Sequence, residues 1–279
     1  MDITFLTWNV EHFNGKKGAE KAGRVARVIA EIEAHAPDVF GILEVEAATA
    51  FGALAEALTD YNFHLSEGTQ TQEILIGWRK SLRAFVTQKG EFKENNIYLR
   101  PASLLTIYSD GGRPIPVLFG HFKSSPTPEG FGLRAAMVEK VGALKKAMDK
   151  AAPTYGLVTA PMVFLGDINT MGLTLTDSPD DIPEADEIAR MARRLARRNL
   201  RPLVKSHPAT FFDGSTGTYG ESDLDHIFAD GSVEVVPTDG HEALVAGWAL
   251  EPEGPARDGW IASMSDHAPV VATLRFPTV

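Results

Sequence analysis

Residues 162–171 read MVFLGDINTM. Val163, Phe164 and Leu165 make a short apolar run, Gly166 ends it, and Asp167 and Asn169 follow two positions apart. The run has the length and composition of a buried strand. A carboxylate and an amide at the mouth of such a strand are costly to desolvate without partners. An Asx turn after glycine is the ordinary use of these residues. The other use is a functional rim: in an extended segment, residues two apart point the same way.

Outward from this stretch, strand-like and helix-like segments alternate. ITFLTWNV (3–10), DVFGILEV (38–45), EILIGWR (73–79), SLLTIYS (103–109), IPVLFGHF (115–122), DLDHIFA (223–229), VEVVPTD (233–239) and HAPVVATLRF (267–276) read as strands. AEKAGRVARVIAEIEAH (19–35) carries Val25, Val28, Ile29 and Ile32 at helical spacing and stops before Pro37. A short helix is predicted over 48–59, and an amphipathic one over 132–152. The acidic stretch 172–187, GLTLTDSPDDIPEADE, reads as a surface loop. This order predicts an α/β fold with helices covering sheets. Strands joined without helices predict antiparallel or mixed pairing as well. Nothing reads as an interdomain linker, so one domain over 1–279 is expected.

Composition excludes several chemistries. The 279-residue chain has no cysteine, which removes disulfides, Cys-ligated zinc, iron–sulfur clusters and thiol nucleophiles. It contains no G-x-S-x-G elbow, P-loop or G-x-G-x-x-G. MDITFLTWNV reads as a first strand, not a signal peptide, and no run of about 18 apolar residues exists to span a membrane. A cytoplasmic protein is expected, without stable membrane association or an evident obligate protein partner. A net charge of −10 argues against coating nucleic acid by bulk charge. It leaves room for an enzyme that grips phosphates locally, where a divalent cation offsets part of the charge.

The polar residues recur at strand ends: Asn9, Glu44, His121 with Lys123, Asp167 with Asn169, then Asp225, Asp266 and His267. Such ends meet at one rim of a sheet, where α/β proteins bind ligands. Asn, Glu and Asp are hard oxygen donors suited to magnesium or manganese. Histidines and an arginine suit proton transfer and phosphate neutralisation. The set points to metal-assisted attack of water on a phosphate ester. Each residue taken singly also has a structural reading: a strand cross-link for Asn9, a solvated strand end for Glu44, a satisfied polar group for His121, a cap or turn for Asp266 and His267.

TWNV (7–10), ILEVE (42–46), RPASLL (100–105), GHFKSS (120–125), GDIN (166–169), DLDHIF (223–228) and SDHAPV (265–270) together resemble the ordered signature of the endonuclease/exonuclease/phosphatase superfamily. That superfamily includes pancreatic-type deoxyribonucleases, apurinic/apyrimidinic endonucleases, neutral sphingomyelinases and inositol polyphosphate phosphatases. The resemblance runs from residue 3 to about 275. It implies a four-layer α/β/β/α sandwich of two packed mixed β-sheets with outer helices. It also implies roles. Glu44, Asn9 and Asp266 match the metal region, and Asp167 the aspartate that orients or deprotonates the attacking water. Asn169 matches the amide that holds a phosphate oxygen. His267 with Asp225 matches the family's histidine and the carboxylate orienting it, a pairing that raises the imidazole pKa. His121 lies on the other side of the phosphate, and Arg100 matches the phosphate-contacting arginine. The implied cofactor is Mg²⁺, with Mn²⁺ a substitute.

Glu73 is a candidate to orient His121, with Gln72 competing and a solvated strand-edge glutamate as the default. His226 is expected on the opposite strand face. In 188–205, Arg190, Arg193, Arg194, Arg197, Arg198 and Arg201 are predicted to share one helical face, either solvated or tracking a phosphate backbone. Three functions are expected in order: a metal-dependent nuclease on DNA or RNA, a phosphoesterase for a small or lipid-linked phosphate, and an inactive binding module. Fold alone does not choose among them.

Overall fold

A computed structural model describes residues 1–14, 23–46, 48–68, 72–93, 96 and 99–277. Along the chain it contains β1 (Asp2–Phe13), α1 (Arg24–His35), β2 (Val39–Val45), α2 (Ala48–Ala57), β3 (Tyr61–Leu65), β4 (Glu73–Arg79) and β5 (Ala84–Lys89). There follow β6 (Ala102–Tyr108), β7 (Pro114–His121), α3 (Pro128–Ala151), β8 (Val163–Asp167), α4 (Glu184–Ala196) and β9 (Leu200–Pro202). The last elements are β10 (Asp225–Asp230), β11 (Glu234–Val236), β12 (Leu244–Val245), α5 (Pro255–Ser263) and β13 (Val270–Arg275). The part of the first expected helix at 19–22 lies outside the described residues.

Two sheets pack face to face. The larger runs β11-β13-β1-β2-β4-β3, with β12 also on β13; the smaller runs β5-β6-β7-β8-β10-β9. Ile3, Phe5, Val39 and Leu43 of the larger meet Leu105, Val117, Phe119 and Leu165 of the smaller. The outer faces are equally apolar. Leu6, Trp8, Phe40 and Ile42 lie under Val28 and Ile32 of α1 and Leu54 of α2. Leu104, Leu118, Phe164 and Phe228 lie under Met137 and Val141 of α3 and Met191 and Leu195 of α4. Strands covered on both faces read as continuous hydrophobic runs, and the expected α/β/β/α sandwich is the observed one.

Among the named strands, two pairs are parallel: β1 with β2, and β7 with β8. Parallel pairing puts both C-terminal ends at one edge. The ends of β1 and β2 carry Asn9 and Glu44, and those of β7 and β8 carry His121 and Asp167. The antiparallel β10 enters beside β8 with its first residue, Asp225, opposite Asp167. The topology thus gathers residues spread over most of the chain.

Gly166 does not end its strand, as the sequence reading had it. It lies inside β8, opposite Gly120, with φ +140°, and a Cβ there would stand 1.9 Å from the Gly120 carbonyl oxygen. Only glycine fits this backbone approach. Gly166→Ala should cost about 2–5 kcal/mol, the sum of backbone strain and overpacking. Denaturant unfolding measures this, and a loss below about 1 kcal/mol would refute the tight approach.

Other expectations change. β3, β5 and β9 carry no clear strand signal in the sequence; they are short and only partly covered. α3 starts a turn early, where Thr127 Oγ1 accepts from Gly130 N–H (3.3 Å) and Pro128 occupies the first turn. The end of the supposed acidic loop, Glu184–Glu187, is the first turn of α4, where carboxylates favour the helix dipole. α4 ends at Ala196, and Asn199 turns the chain with φ +58°. The six arginines therefore do not share one helical face. Arg201 lies on β9 and pairs with Glu242 at 2.8 Å. The buried Arg134 of α3 clamps α4 and two loops: it donates to Glu187 (2.7 and 2.9 Å), Ser125 O (2.7 Å) and Gly172 O (2.8 Å). Among the described residues, no helix is long and apolar enough to cross a membrane.

Candidate active site

At the rim where the two sheets meet, Asn9 links their carboxylates. Its Nδ2 donates to Asp167 Oδ2 (2.9 Å) and Glu44 Oε1 (3.2 Å), while its Oδ1 accepts from Glu11 N–H (3.1 Å). β1 departs from regular register after Asn9, and Glu11, His12 and Glu44 adopt positive φ. This local strain turns Glu44 so that Oε2 accepts from His12 N–H (3.0 Å) and Gln72 Nε2 (3.0 Å). Gln72 also takes a hydrogen bond from Arg100.

On the smaller sheet, the register His121↔Asp167↔Asp225 sets three side chains on neighbouring strands. His121 Nε2 stands 3.6 Å from Asp167 Oδ2 and 3.8 Å from Glu44 Oε1. These separations are too long for hydrogen bonds. His267 Nδ1 lies 2.7 Å from Asp225 Oδ2. The loop bearing Asp266 and His267 is held by Trp8, whose indole N–H donates to His267 O (2.9 Å), and by Ser265, whose hydroxyl donates to Asn9 O (2.7 Å).

Asn169 reaches the site by a route the sequence reading did not take. The segment is not extended: Asn169 has φ +54°, and its N–H donates to Asp167 Oδ1 (2.9 Å), an Asx turn. The turn and the site are one feature, since it folds Asn169 back beside Asp167 and anchors its amide on Phe122 O (3.2 Å).

Burial shapes the electrostatics. It pushes the Asp167 carboxyl up to about 7, reinforced by Asp225. It pushes Asp266 up to about 6, with Glu11, Glu44 and Asp225 adding repulsion. It drives His121 well below the ordinary histidine range, helped by Arg100 and His267. His267 goes the other way: burial disfavours its cation, but the Asp225, Asp167 and Asp266 carboxylates override that and hold it well above the ordinary value. One histidine is thus neutral and the other cationic across neutral pH.

The endonuclease/exonuclease/phosphatase family model matches residues 6–267. The chain belongs to the endonuclease/exonuclease/phosphatase family. Its members hydrolyse phosphoester bonds with divalent metal. Similar solved structures include TDP2 from D. rerio complexed with a single-strand DNA product, at 16% identity and TM-score 0.66, covering 99% of both chains. The endonuclease/exonuclease/phosphatase from Bacteroides vulgatus is 17% identical at TM-score 0.65, covering 99% of this chain and 100% of its own. TDP2 from Caenorhabditis elegans is 17% identical at TM-score 0.66, covering 99% of this chain and 75% of its own. At such identities the likeness speaks for the fold alone. No curated protein matches the sequence.

The donor set fits the divalent ion on which the family depends. Glu44 and Asp266 are hard oxygen donors, Glu44 adds to the rise of the Asp266 pKa, and among the described residues the Asp266 carboxylate has only a long contact, 3.4 Å, from Ser265 Oγ. A cation there relieves the repulsion. Asp167, Asp225 and His267 also bring donor atoms within 4.8 Å of one another. In that second group, His267 Nδ1 and Asp225 Oδ2 are engaged with each other, a pairing that suits proton transfer.

The family frame leaves some residues to the structure. Glu73 is not solvated; it is buried and accepts from the Ser66 hydroxyl. Gln72, its neighbour, faces the site instead. His226 lies away from the site, as strand parity predicts, on Thr170 Oγ1 (3.0 Å). Thr210 and Phe211 escaped the sequence reading. Thr210 Oγ1 accepts from Asp225 N–H (2.8 Å), and the Phe211 ring meets His267 edge-on at 5.1 Å. No motif distinguishes either residue.

Proposed function

We propose that residues 1–279 act as one catalytic domain, a divalent-metal-dependent phosphodiesterase that cleaves nucleic acid by in-line attack of water. The observation that carries this reading is the Asn9 amide bridging Asp167 and Glu44. It ties the group that would handle water to the group that would hold the metal. Asp167, with a carboxyl titrating at about 7, takes a proton from the attacking water as the P–O bond to the leaving oxygen breaks, and that oxygen takes up a proton from a histidine. Asn169, neutral His121 and Arg100 hold the phosphoryl oxygens, and the His267 cation, oriented by Asp225, stabilises the added negative charge. Glu44 and Asp266, with Asn9 beside them, would hold Mg²⁺ or Mn²⁺. When bound, the ion supplies Lewis-acid neutralisation of phosphate charge. Nucleic acid is the substrate class best supported, because a fold neighbour is described with a single-strand DNA product.

The test is a panel of plasmid DNA, single strands, abasic duplex, RNA, sphingomyelin, inositol phosphates and bis(p-nitrophenyl) phosphate. Each is incubated with Mg²⁺ or Mn²⁺, then with EDTA. Cleavage of a nucleic acid is expected with either ion and none with EDTA. Glu44→Gln should raise the Mg²⁺ concentration for half-maximal rate by roughly tenfold or more. Cleavage that survives EDTA, or exclusive turnover of the lipid or inositol substrates, overturns the reading.

A further inference from the structure

Away from the catalytic rim, α3 and α4 leave a groove between them. Its upper part is a cavity of about 260 Å³ with an apolar floor, including Phe131, Val138 and Met191. Ile168 and Thr170, from the loop that carries Asp167 and Asn169, close its top. Its lower part is a cavity of about 420 Å³ walled by Lys146, Arg197 and Arg198. The two meet at the Glu139–Arg194 ion pair, which lines both. Ala135, Gly142 and Ala143 on α3 keep the groove open, because they have too little side chain to fill it.

The charge distribution is one-sided. The protein carries a net −10, yet the acids in this groove are already engaged: Glu139 with Arg194, and Glu187 with Arg134 and Gly172 N–H (2.7 Å). Lys146, Arg190, Arg197 and Arg198 form no ion pair among the described residues. Interaction with the α4 dipole accounts for Arg193 and Arg194 in its last turn. It also covers Arg197 at the C-cap, but it does not account for Lys146 on the facing helix. Several separate cations along a groove suit a chain of phosphates better than a single anion. An apolar slot beside them suits the face of an unpaired base.

We propose that the α3–α4 groove is a second binding site for single-stranded nucleic acid, seating a base in the apolar slot and its neighbouring phosphates on Lys146, Arg197 and Arg198. This rests on the nucleic-acid reading of the active site and names where the strand is held beyond the scissile phosphate. Since Ile168 and Thr170 wall the slot, a strand seated there abuts the catalytic loop directly.

The experiment titrates fluorescein-labelled 20-nucleotide single strands, DNA and RNA, into Asp167→Asn protein with Mg²⁺, reading anisotropy across a salt series. In that background, Lys146→Glu/Arg197→Glu/Arg198→Glu should weaken binding tenfold or more and flatten the log–log salt slope by about 2, as expected for three lost phosphate contacts. Ala135→Trp, which plugs the slot, should weaken the oligonucleotide but leave inorganic polyphosphate binding unchanged. With an otherwise unaltered active site, both sets of substitutions should turn over bis(p-nitrophenyl) phosphate at the parent rate. Unchanged anisotropy titrations in the triple variant overturn the proposal. So does a glutamate-rich peptide that binds as tightly as the oligonucleotide, since the groove would then be an acidic-protein surface. A parent enzyme inert toward every phosphodiester would sink the catalytic reading separately, because the anisotropy measurement does not depend on turnover.

Discussion

Asp167→Asn is expected to lower phosphodiester turnover by about 10²–10⁴-fold, the usual contribution of a general base, and at the same time to stabilise the metal-free protein. The opposite signs come from one cause. Asp167 is almost wholly buried, and its carboxyl titrates at about 7 in the fold against 3.8 for an ordinary aspartate. A group raised in this way holds its proton more tightly in the native state. Native stability therefore falls as pH rises from about 4 to about 7, and stays low above that. Ionisation costs the fold up to about 4 kcal/mol at pH 8. Asparagine removes that cost but cannot accept both N–H bonds that Asp167 takes from Asn9 and Asn169, which gives back about 1–2 kcal/mol. A net gain of about 2 kcal/mol in EDTA at pH 8 is expected, reversing to a loss of about 1 kcal/mol near pH 4, where only the lost hydrogen bonding remains. Saturating Mg²⁺ should narrow the gap, because a cation at Glu44 favours the ionised aspartate. Melting curves across pH check this. A variant that melts at or below the wild type at pH 8, with activity intact, would refute the assignment.

His267→Ala should do the reverse to stability while also removing activity. Asp225 is fully buried; its Oδ2 bonds His267, and its Oδ1 has no hydrogen-bond partner among the described residues. Removing the imidazole strands a carboxylate in the interior, at a cost of about 3–5 kcal/mol. The pH dependence follows from the raised His267 value. The contribution of the pair is whole below about pH 6.5 and is lost only as pH climbs through that higher value. The deficit should therefore be full at pH 6 and shrink in alkali. His267→Ala/Asp225→Ala should recover most of the stability and none of the turnover, since no buried charge is left unpaired. Urea unfolding of the two variants decides the point. A single variant losing less than about 1 kcal/mol would mean that Asp225 is not dependent on its histidine.

Local physics made much of this molecule readable without coordinates. Val163–Leu165, Ile74–Ile76 and Val117–Phe119 announce covered strands by composition, and Val28 and Ile32 announce a helix by period. Parity alone placed His226 away from Asp225. The residues of the site could be named because each stands at the end of such a run, and because their ordered motifs resemble a known family.

What the chain alone left open depends on interactions between distant segments. Asn169 comes back beside Asp167 through a left-handed turn, not an extended strand, because Asp167 accepts its N–H. Gln72, and not Glu73, faces Glu44, because the register of β2 and β4 shifts between Ile42 and Val45. The arginines of 190–201 divide between a groove and a sheet edge, because the helix stops at Ala196. Periodicity and composition are properties of neighbouring residues, so sequence determined the covered strands, the presence of the main helices and the polar residues at the strand ends. Register, strain and burial are set only when two sheets close on each other, and that closure decided the pairing of Asn9 with Asp167 and Glu44, the opposed protonation of His121 and His267, and the open groove between α3 and α4.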